Sequence, residues 1–262
     1  MRAAALAGRL AVVTGGGSGI GAACCLEFVS QGARLVVADR NLDAARAIAA
    51  ELGGSSYEID VADEESAEAC ARRIEADQGP VGMLVHCAGV VQGRAGADDL
   101  SMRKWDDIVR IDQRGTFVTC RAFARGMLER RRGAIVTIAS VAGMRSTPMH
   151  AYAPAKAAVI AMTEALAAEW GPRGVRINAV SPGFTLTDGM RRAIEIGAMD
   201  VRTLTSSAAL GRLVDPAEVA KAVTFLLSDE ASAITGINLP VDCGWLAGSP
   251  WAAYGGLPNT DS

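Results

Sequence analysis

Tyr152 and Lys156 stand four residues apart in the run Ala151-Tyr152-Ala153-Pro154-Ala155-Lys156. On a helix that spacing puts a phenol and an ammonium on one face. A phenol with a pKa of about 10 is a poor acid–base group at neutral pH. A cation beside it favours the phenolate, and lowering the pKa by about one corresponds to about 1.4 kcal/mol of differential stabilisation. Pro154 between the two is acceptable in a first helical turn, where the missing N–H has no intrahelical partner to lose. Taken alone, the pair fits an exposed helix face equally well.

A second constellation is Thr14-Gly15-Gly16-Gly17-Ser18-Gly19-Ile20-Gly21, between the apolar run Leu10 to Val13 and a helical pattern. A helix N-terminus offers unpaired backbone N–H groups to a pyrophosphate, and glycine lets the backbone approach closely. A glycine-rich loop by itself also fits a tight turn; its position after the first strand and before the first helix is what points to a dinucleotide. Asp39 ends the next apolar run. A carboxylate there accepts hydrogen bonds from both adenosine ribose hydroxyls and repels a 2′-phosphate, which favours NAD over NADP. Arg40 beside it could swing over to accept that phosphate, and the plainer alternative is that Asp39 caps the following helix.

The elements that must position these groups follow a regular order. Strands are expected at Leu10 to Val13, Arg34 to Ala38, Tyr57 to Val61, Met83 to His86, Ala134 to Ile138, Val175 to Val180 and Ile237 to Val241. Helices are expected at Gly19 to Gln31, Asn41 to Leu52, Glu64 to Asp77, Ser101 to Arg130, Ala151 to Trp170 and Pro216 to Leu227. Such alternation predicts an α/β fold: a single, doubly wound parallel sheet of about seven strands with helices on both faces. No repeat or linker divides it, so residues 1–262 are expected to form one domain. Two segments escape the pattern. Residues 184–213 follow a strand's C-terminal end and are expected to form a substrate lid, the alternative being an idle surface excursion. The tail 248–262 is rich in Gly, Pro and Ala and is expected to be disordered or to dock on a partner subunit.

Half of the residues are hydrophobic but only 5% are aromatic, which suits strands covered on both faces by small and branched side chains. The net charge is −3, with both signs scattered along the chain. Nucleic acid or an anionic membrane surface would need clustered Lys and Arg, so neither is expected as a partner. No run is long enough to span a bilayer, and the Ala3 to Leu6 stretch is too short for the apolar region of a signal peptide. The six cysteines show no metal-ligand spacing with the two histidines and read as free thiols in a reducing cytoplasm; no metal is expected.

Taken together, Thr14 to Gly21, Asp60 before Val61, Ala88-Gly89, Ser140, Tyr152 to Lys156 and Pro182-Gly183 appear in the order of the classical short-chain dehydrogenase/reductase family. The resemblance covers about Gly8 to Trp245 and implies a Rossmann-type, NAD-dependent enzyme. By similarity Tyr152 is the general acid–base, Lys156 supports it and holds the nicotinamide ribose, and Ser140 hydrogen-bonds the substrate oxygen. Gly15, Gly17, Ser18, Gly19, Ile20, Gly21, Asp39, Arg40, Asp60, Val61, Ala88 and Gly89 would bind the cofactor, with Asp60 at the adenine amino group. Pro182, Gly183, Thr185 and Thr187 would complete the nicotinamide end, Thr187 anchoring its carboxamide. The spacing from Tyr152 to Lys156 is shorter than in enoyl reductases, so interconversion of a secondary alcohol and its ketone is implied. NADP-dependent 3-oxoacyl or carbonyl reduction, and a cofactor-binding regulator without turnover, are the alternatives. Related enzymes are mostly tetramers, so a homotetramer is implied too.

Two residues depart from the family's pattern. His86-Cys87 stands where two asparagines are usual and is expected to be a structural accommodation. Asp112, on the inward face with Trp105, Ile108 and Val109, stands where the family has the asparagine of its catalytic set. An aspartate keeps the acceptor oxygens and loses the amide donor; buried, it must pair with a cation or take up a proton. The expectation is that Asp112 still serves the site and adds a pH dependence, the rival being a weakened relay. Arg94, Arg145, Met149, His150 and Trp245 lie on segments that border the substrate cleft in related enzymes, and the charged ones would suit a polyol, sugar or acidic substrate.

Overall fold

The computed structural model describes residues 5–258. Seven strands, β1 (Leu10–Thr14), β2 (Arg34–Asp39), β3 (Ser55–Glu58), β4 (Met83–His86), β5 (Gly133–Ile138), β6 (Val175–Pro182) and β7 (Asn238–Val241), form one sheet in the order β3-β2-β1-β4-β5-β6-β7. Every pairing is parallel. Alternation along the strands splits the core into two layers, as the pleat requires. Ala11, Val13, Met83, Val85, Val136 and Ile138 pack with α1 (Gly19–Ser30), α2 (Leu42–Leu52) and a later helix on one face. Leu10, Val12, Leu84 and Ile135 pack with α3 (Glu64–Gln78) and the helices of the other face.

Those further elements are α4 (Met102–Ile108), a π-helical segment (Val109–Arg114), α5 (Gly115–Glu129), α6 (Tyr152–Trp170), α7 (Asp188–Glu195), α8 (Val201–Thr205), α9 (Pro216–Leu227) and α10 (Trp245–Gly248). Side chains set their starts. Asn41 caps α2, Asp63 caps α3 and Ser101 caps α4, while Asp215 and Glu218 form a reciprocal capping box on α9. The cap of α2 is therefore Asn41 and not Asp39.

Two elements differ from the sequence expectation. The third strand is Ser55–Glu58 instead of Tyr57 to Val61. It pairs only with β2, from Val36↔Ser55 to Asp39↔Glu58, so Ile59 to Val61 run past the end of their partner and turn into the cleft. The expected single helix Ser101 to Arg130 is a continuous rod with a π-helical segment in it. There the Thr116 hydroxyl donates to the Asp112 carbonyl at 2.6 Å and competes with the helical ladder.

Residues 184–213 contain α7 and α8. Their base is pinned where Leu186 N donates to Val214 O and Val214 N to Phe184 O, at 2.8 and 2.9 Å. Of the tail, Ser249–Tyr254 is a 3₁₀ helix, and 259–262 lie outside the described residues, as does the N-terminal run up to Ala4. Leu6 is wholly buried.

Candidate active site

The strand order reverses between β1 and β4, and a cleft of about 460 Å³ opens there at the C-terminal ends of the strands. Gly15, Ser18, Gly19, Ile20 and Gly21 line it from the first loop, Asp39 and Arg40 from the second strand's end, and Asp60 and Val61 from the third's. Ala88 and Gly89 close it from the fourth, and Thr187 from the segment before α7. The loop geometry demands glycine. A Cβ on Gly21 would lie 2.1 Å from Gly15 O, and one on Gly15, at φ +67°, would lie 2.6 Å from Ala88 N.

Asp39 steadies this loop. Its Oδ2 accepts from Gly17 N at 3.0 Å and its Oδ1 from Asn41 N at 2.9 Å. Gly17 itself packs against Ala44. Ser18 begins α1, yet its side chain makes no capping bond and no acidic residue stands in the first turn. The backbone donors and the macrodipole at this helix end therefore suit a pyrophosphate. The cradle fits a nicotinamide dinucleotide.

Behind Gly89 and Ile138 of the cleft lining, Lys156 Nζ donates to Ile138 O at 3.1 Å, lies 3.1 Å from Asp112 Oδ2 and sits 5.5 Å from the centre of the Tyr152 ring; Lys156, Tyr152, Asp112 and Ser140 do not themselves line the cleft. The Asp112 side chain has no exposed surface and that of Lys156 only 6%. The contact is an ion pair lying off the hydrogen-bonding direction of Oδ2, while Oδ1 accepts from Val90 N at 2.8 Å. Burial works against the ammonium, but Asp112 and then Tyr152 outweigh it, so the Lys156 pKa lies above the ordinary lysine value. Gly89 crosses directly over the pair: a Cβ there would be 3.1 Å from Asp112 Oδ2 and 3.3 Å from Lys156 Nζ.

Ser140 ends the β5 connection and accepts from Ala142 N through Oγ at 3.1 Å, which leaves its hydroxyl proton available to a substrate oxygen. The turn after it lies tight on α6, because a Cβ on Gly143 would be 2.6 Å from Ala157 N. Ser140 and Tyr152 are thereby carried on two packed elements.

His86 is wholly buried, with Nδ1 3.0 Å from Thr14 Oγ1 and Nε2 without a partner. It joins the ends of β1 and β4 and so supports the floor of the cleft. Pro182 ends β6, and Gly183 lies against Asp242, where a Cβ would come within 2.8 Å of its Cα. The Thr185 hydroxyl donates to Gly183 O at 2.9 Å, and Thr187 caps α7. Arg94, Arg145 and His150 are exposed and Met149 is half-buried. Arg145 donates to Met144 O, and Trp245 packs edge-on against Phe184 at 5.8 Å. Among the described residues no group of three or more His, Cys, Asp or Glu could hold a metal.

Sequence reasoning passed over the apolar lining from Ile59, Val90, Val91, Ile111 and Ile138, and over Asp188 and Gly189. It also missed Gln92, which is 1% exposed and whose Oε1 accepts from Ala151 N and Tyr152 N. A polar residue inside the apolar stretch that follows β4 was the only available signal.

A dinucleotide cradle at the switch point of a parallel sheet, ending on a buried lysine beside a tyrosine, defines a nicotinamide-dependent oxidoreductase. A family model described as Enoyl-(Acyl carrier protein) reductase matches residues 15–246. D-threitol dehydrogenase of Mycolicibacterium smegmatis (strain ATCC 700084 / mc(2)155) is 40% identical over 246 residues, covering 92% of this chain and 94% of that one. Galactitol 2-dehydrogenase (L-tagatose-forming) of Cereibacter sphaeroides is 39% identical over 251 residues, covering 92% and 96%. A solved structure described as ribose-5-phosphate isomerase from Brucella melitensis 16M is 51% identical with a TM-score of 0.95, covering 98% and 100%. The structure of ElxO with NADP bound is 28% identical with a TM-score of 0.87, covering 92% and 99%. The chain belongs to the short-chain dehydrogenase/reductase family. It is an NAD(P)-dependent enzyme that interconverts secondary alcohols and ketones.

Proposed function

We propose that the protein is an NAD-dependent dehydrogenase of polyols or sugar-like secondary alcohols, with Tyr152, Lys156, Ser140 and Asp112 as its working side chains. The observation that carries this reading is the Lys156 ammonium, almost fully buried beside the Tyr152 ring and behind Gly89 and Ile138 of the cleft. When bound, the dinucleotide supplies the hydride acceptor or donor. Tyr152 Oη takes the hydroxyl proton in oxidation and returns it in reduction. The Ser140 hydroxyl donates to the same substrate oxygen, a hydrogen bond that strengthens as charge develops there. Lys156 keeps a positive charge next to the phenol and would hold the nicotinamide ribose, and Asp112 holds Lys156 in place.

NAD over NADP rests on the Asp39 carboxylate at the adenosine end, which repels a 2′-phosphate; Arg40 and the NADP-bound relative are the observations on the other side. The polyol class rests on the threitol and galactitol relatives and on the exposed Arg94, Arg145 and His150, whose segments border the substrate cleft in related enzymes. Residues 184–213 act in this reading as a lid, with Thr187 at its hinge against Gly19. The described residues are one domain, residues 248–258 dock on a neighbouring subunit, and the assembly is a homotetramer of the cytoplasm, in keeping with six free thiols.

Absorbance at the reduced-nicotinamide band tests the reading, with NAD or NADP and a panel of secondary alcohols, polyols and their ketones. Turnover with NAD that disappears in Tyr152→Phe is the expected result. Conversion of ribose 5-phosphate to its ketose without any nicotinamide would replace it with an isomerase.

A further inference from the structure

The first turn of α6 carries the tyrosine, and its backbone donors can be followed one by one. Ala153 N donates to Met149 O at 2.9 Å and Ala155 N to Ala151 O at 3.2 Å, while Pro154 has no N–H. Ala151 N and Tyr152 N are left over, and the residue before the helix, Ala151, has no side chain able to cap it. Both N–H groups donate to a single atom, Gln92 Oε1, at 2.8 and 3.2 Å. The cap is thus supplied by a loop 59 and 60 residues away in sequence.

That loop leaves β4 and meets the site at three successive points. Ala88 and Gly89 line the dinucleotide cleft, Val90 N donates to the counter-ion of Lys156, and Gln92 holds the backbone of Tyr152 itself. The Gln92 side chain is buried although its own Nε2 has no partner. An unmet buried donor is costly, and the acceptor end alone does the capping.

We propose that Gln92 is a positioning residue for the reaction: through the N-terminal turn of α6 it sets where the Tyr152 hydroxyl stands relative to Lys156 and Ser140. This rests on the reading of Tyr152 as the proton-transfer group. A residue acting this way governs turnover more than affinity, since a displacement of the order of 1 Å costs up to about a hundredfold in rate.

The test compares Gln92→Leu, which removes the acceptor, with Gln92→Glu, which keeps an oxygen in its place and exchanges the unpartnered Nε2 for a second oxygen and a negative charge that the N-terminus of α6 favours. Each is assayed at its own pH optimum, with thermal melts and with NAD affinity read by its displacement of fluorescent NADH. Gln92→Leu is expected to lower kcat by about tenfold or more, with substrate KM and NAD Kd unchanged within a factor of about two. Gln92→Glu is expected to recover most of kcat. If the leucine variant does not fold, Gln92→Asn, which withdraws the same amide by one methylene, makes the same comparison. Wild-type kcat with a lowered Tm, or a loss of NAD affinity matching the loss of kcat, would overturn the proposal, as would a glutamate variant no better than leucine. Persisting activity in Tyr152→Phe would instead overturn the reading of the tyrosine on which it rests.

Discussion

Lys156 keeps its ammonium where water scarcely reaches, and one fully buried carboxylate is the reason. Desolvation alone would drive the lysine toward its neutral form; Asp112, with a smaller share from Tyr152, reverses the balance. The groups facing Lys156 are Asp112 from the π-helical segment, Tyr152 on its own helix, and Cys87 and His86 from the end of β4. Because the folded-state value is raised, the charge and its stabilisation are present below the ordinary lysine value of 10.5 and are lost only as pH climbs beyond it. Asp112→Asn leaves burial as the larger effect, so Lys156 loses its proton at lower pH than in the wild type. The expected outcome is an alkaline limb of the pH–kcat profile that moves to lower pH. A profile identical to wild type would mean that the Asp112 charge has no part in turnover.

At the scale of elements, the site depends on close approaches that tolerate no extra atom. The glycine-rich turn and the start of α1 interlock so tightly that a Cβ on Gly21 meets the Gly15 carbonyl, where only backbone could give way. Gly21→Ala should therefore open the turn. NAD affinity should fall by about tenfold or more, and stability by roughly 1–3 kcal/mol, the usual range for overpacking. Fluorescence titration and thermal melts read the two effects separately. The π-helical segment is the second such device. Asp112 lies within it, its side chain fully buried and its carbonyl taken by Thr116. Wide turns of this kind occur frequently at functional sites.

For the molecule as a whole, the buried His86 couples the floor of the cleft to acid stability. Burial, and then the charge of Lys156, push its imidazole down to about 3 from an ordinary 6.5. Between those two pH values the unfolded chain binds a proton that the folded chain refuses, so stability falls as pH drops through that window. The full loss is on the order of 5 kcal/mol. In His86→Asn this contribution disappears, and urea melts at pH 4 and pH 7 should differ by less than they do in the wild type. An equal difference in both proteins would show that the imidazole accepts its proton without unfolding.

Much of this was legible in the chain because it is local. The alternation of strand and helix, the glycine-rich turn, the carboxylate ending β2, and the Tyr152–Lys156 spacing all depend on neighbours within a few residues, where periodicity and chirality act directly. The boundary of β3 was not legible, because Ser55 and Ser56 are strand residues only by virtue of pairing with Val36 and Val37. Nor was the π-helical turn, whose residues read as ordinary helix. Asp112 could be recognised as inward-facing, but its partner could not, since Lys156 is brought to it by packing across forty-four positions of sequence. Gln92 gave the least sign of all. Its role exists only because a loop after β4 and the first turn of α6 meet, leaving one carbonyl oxygen as the acceptor for two otherwise unpaired backbone donors.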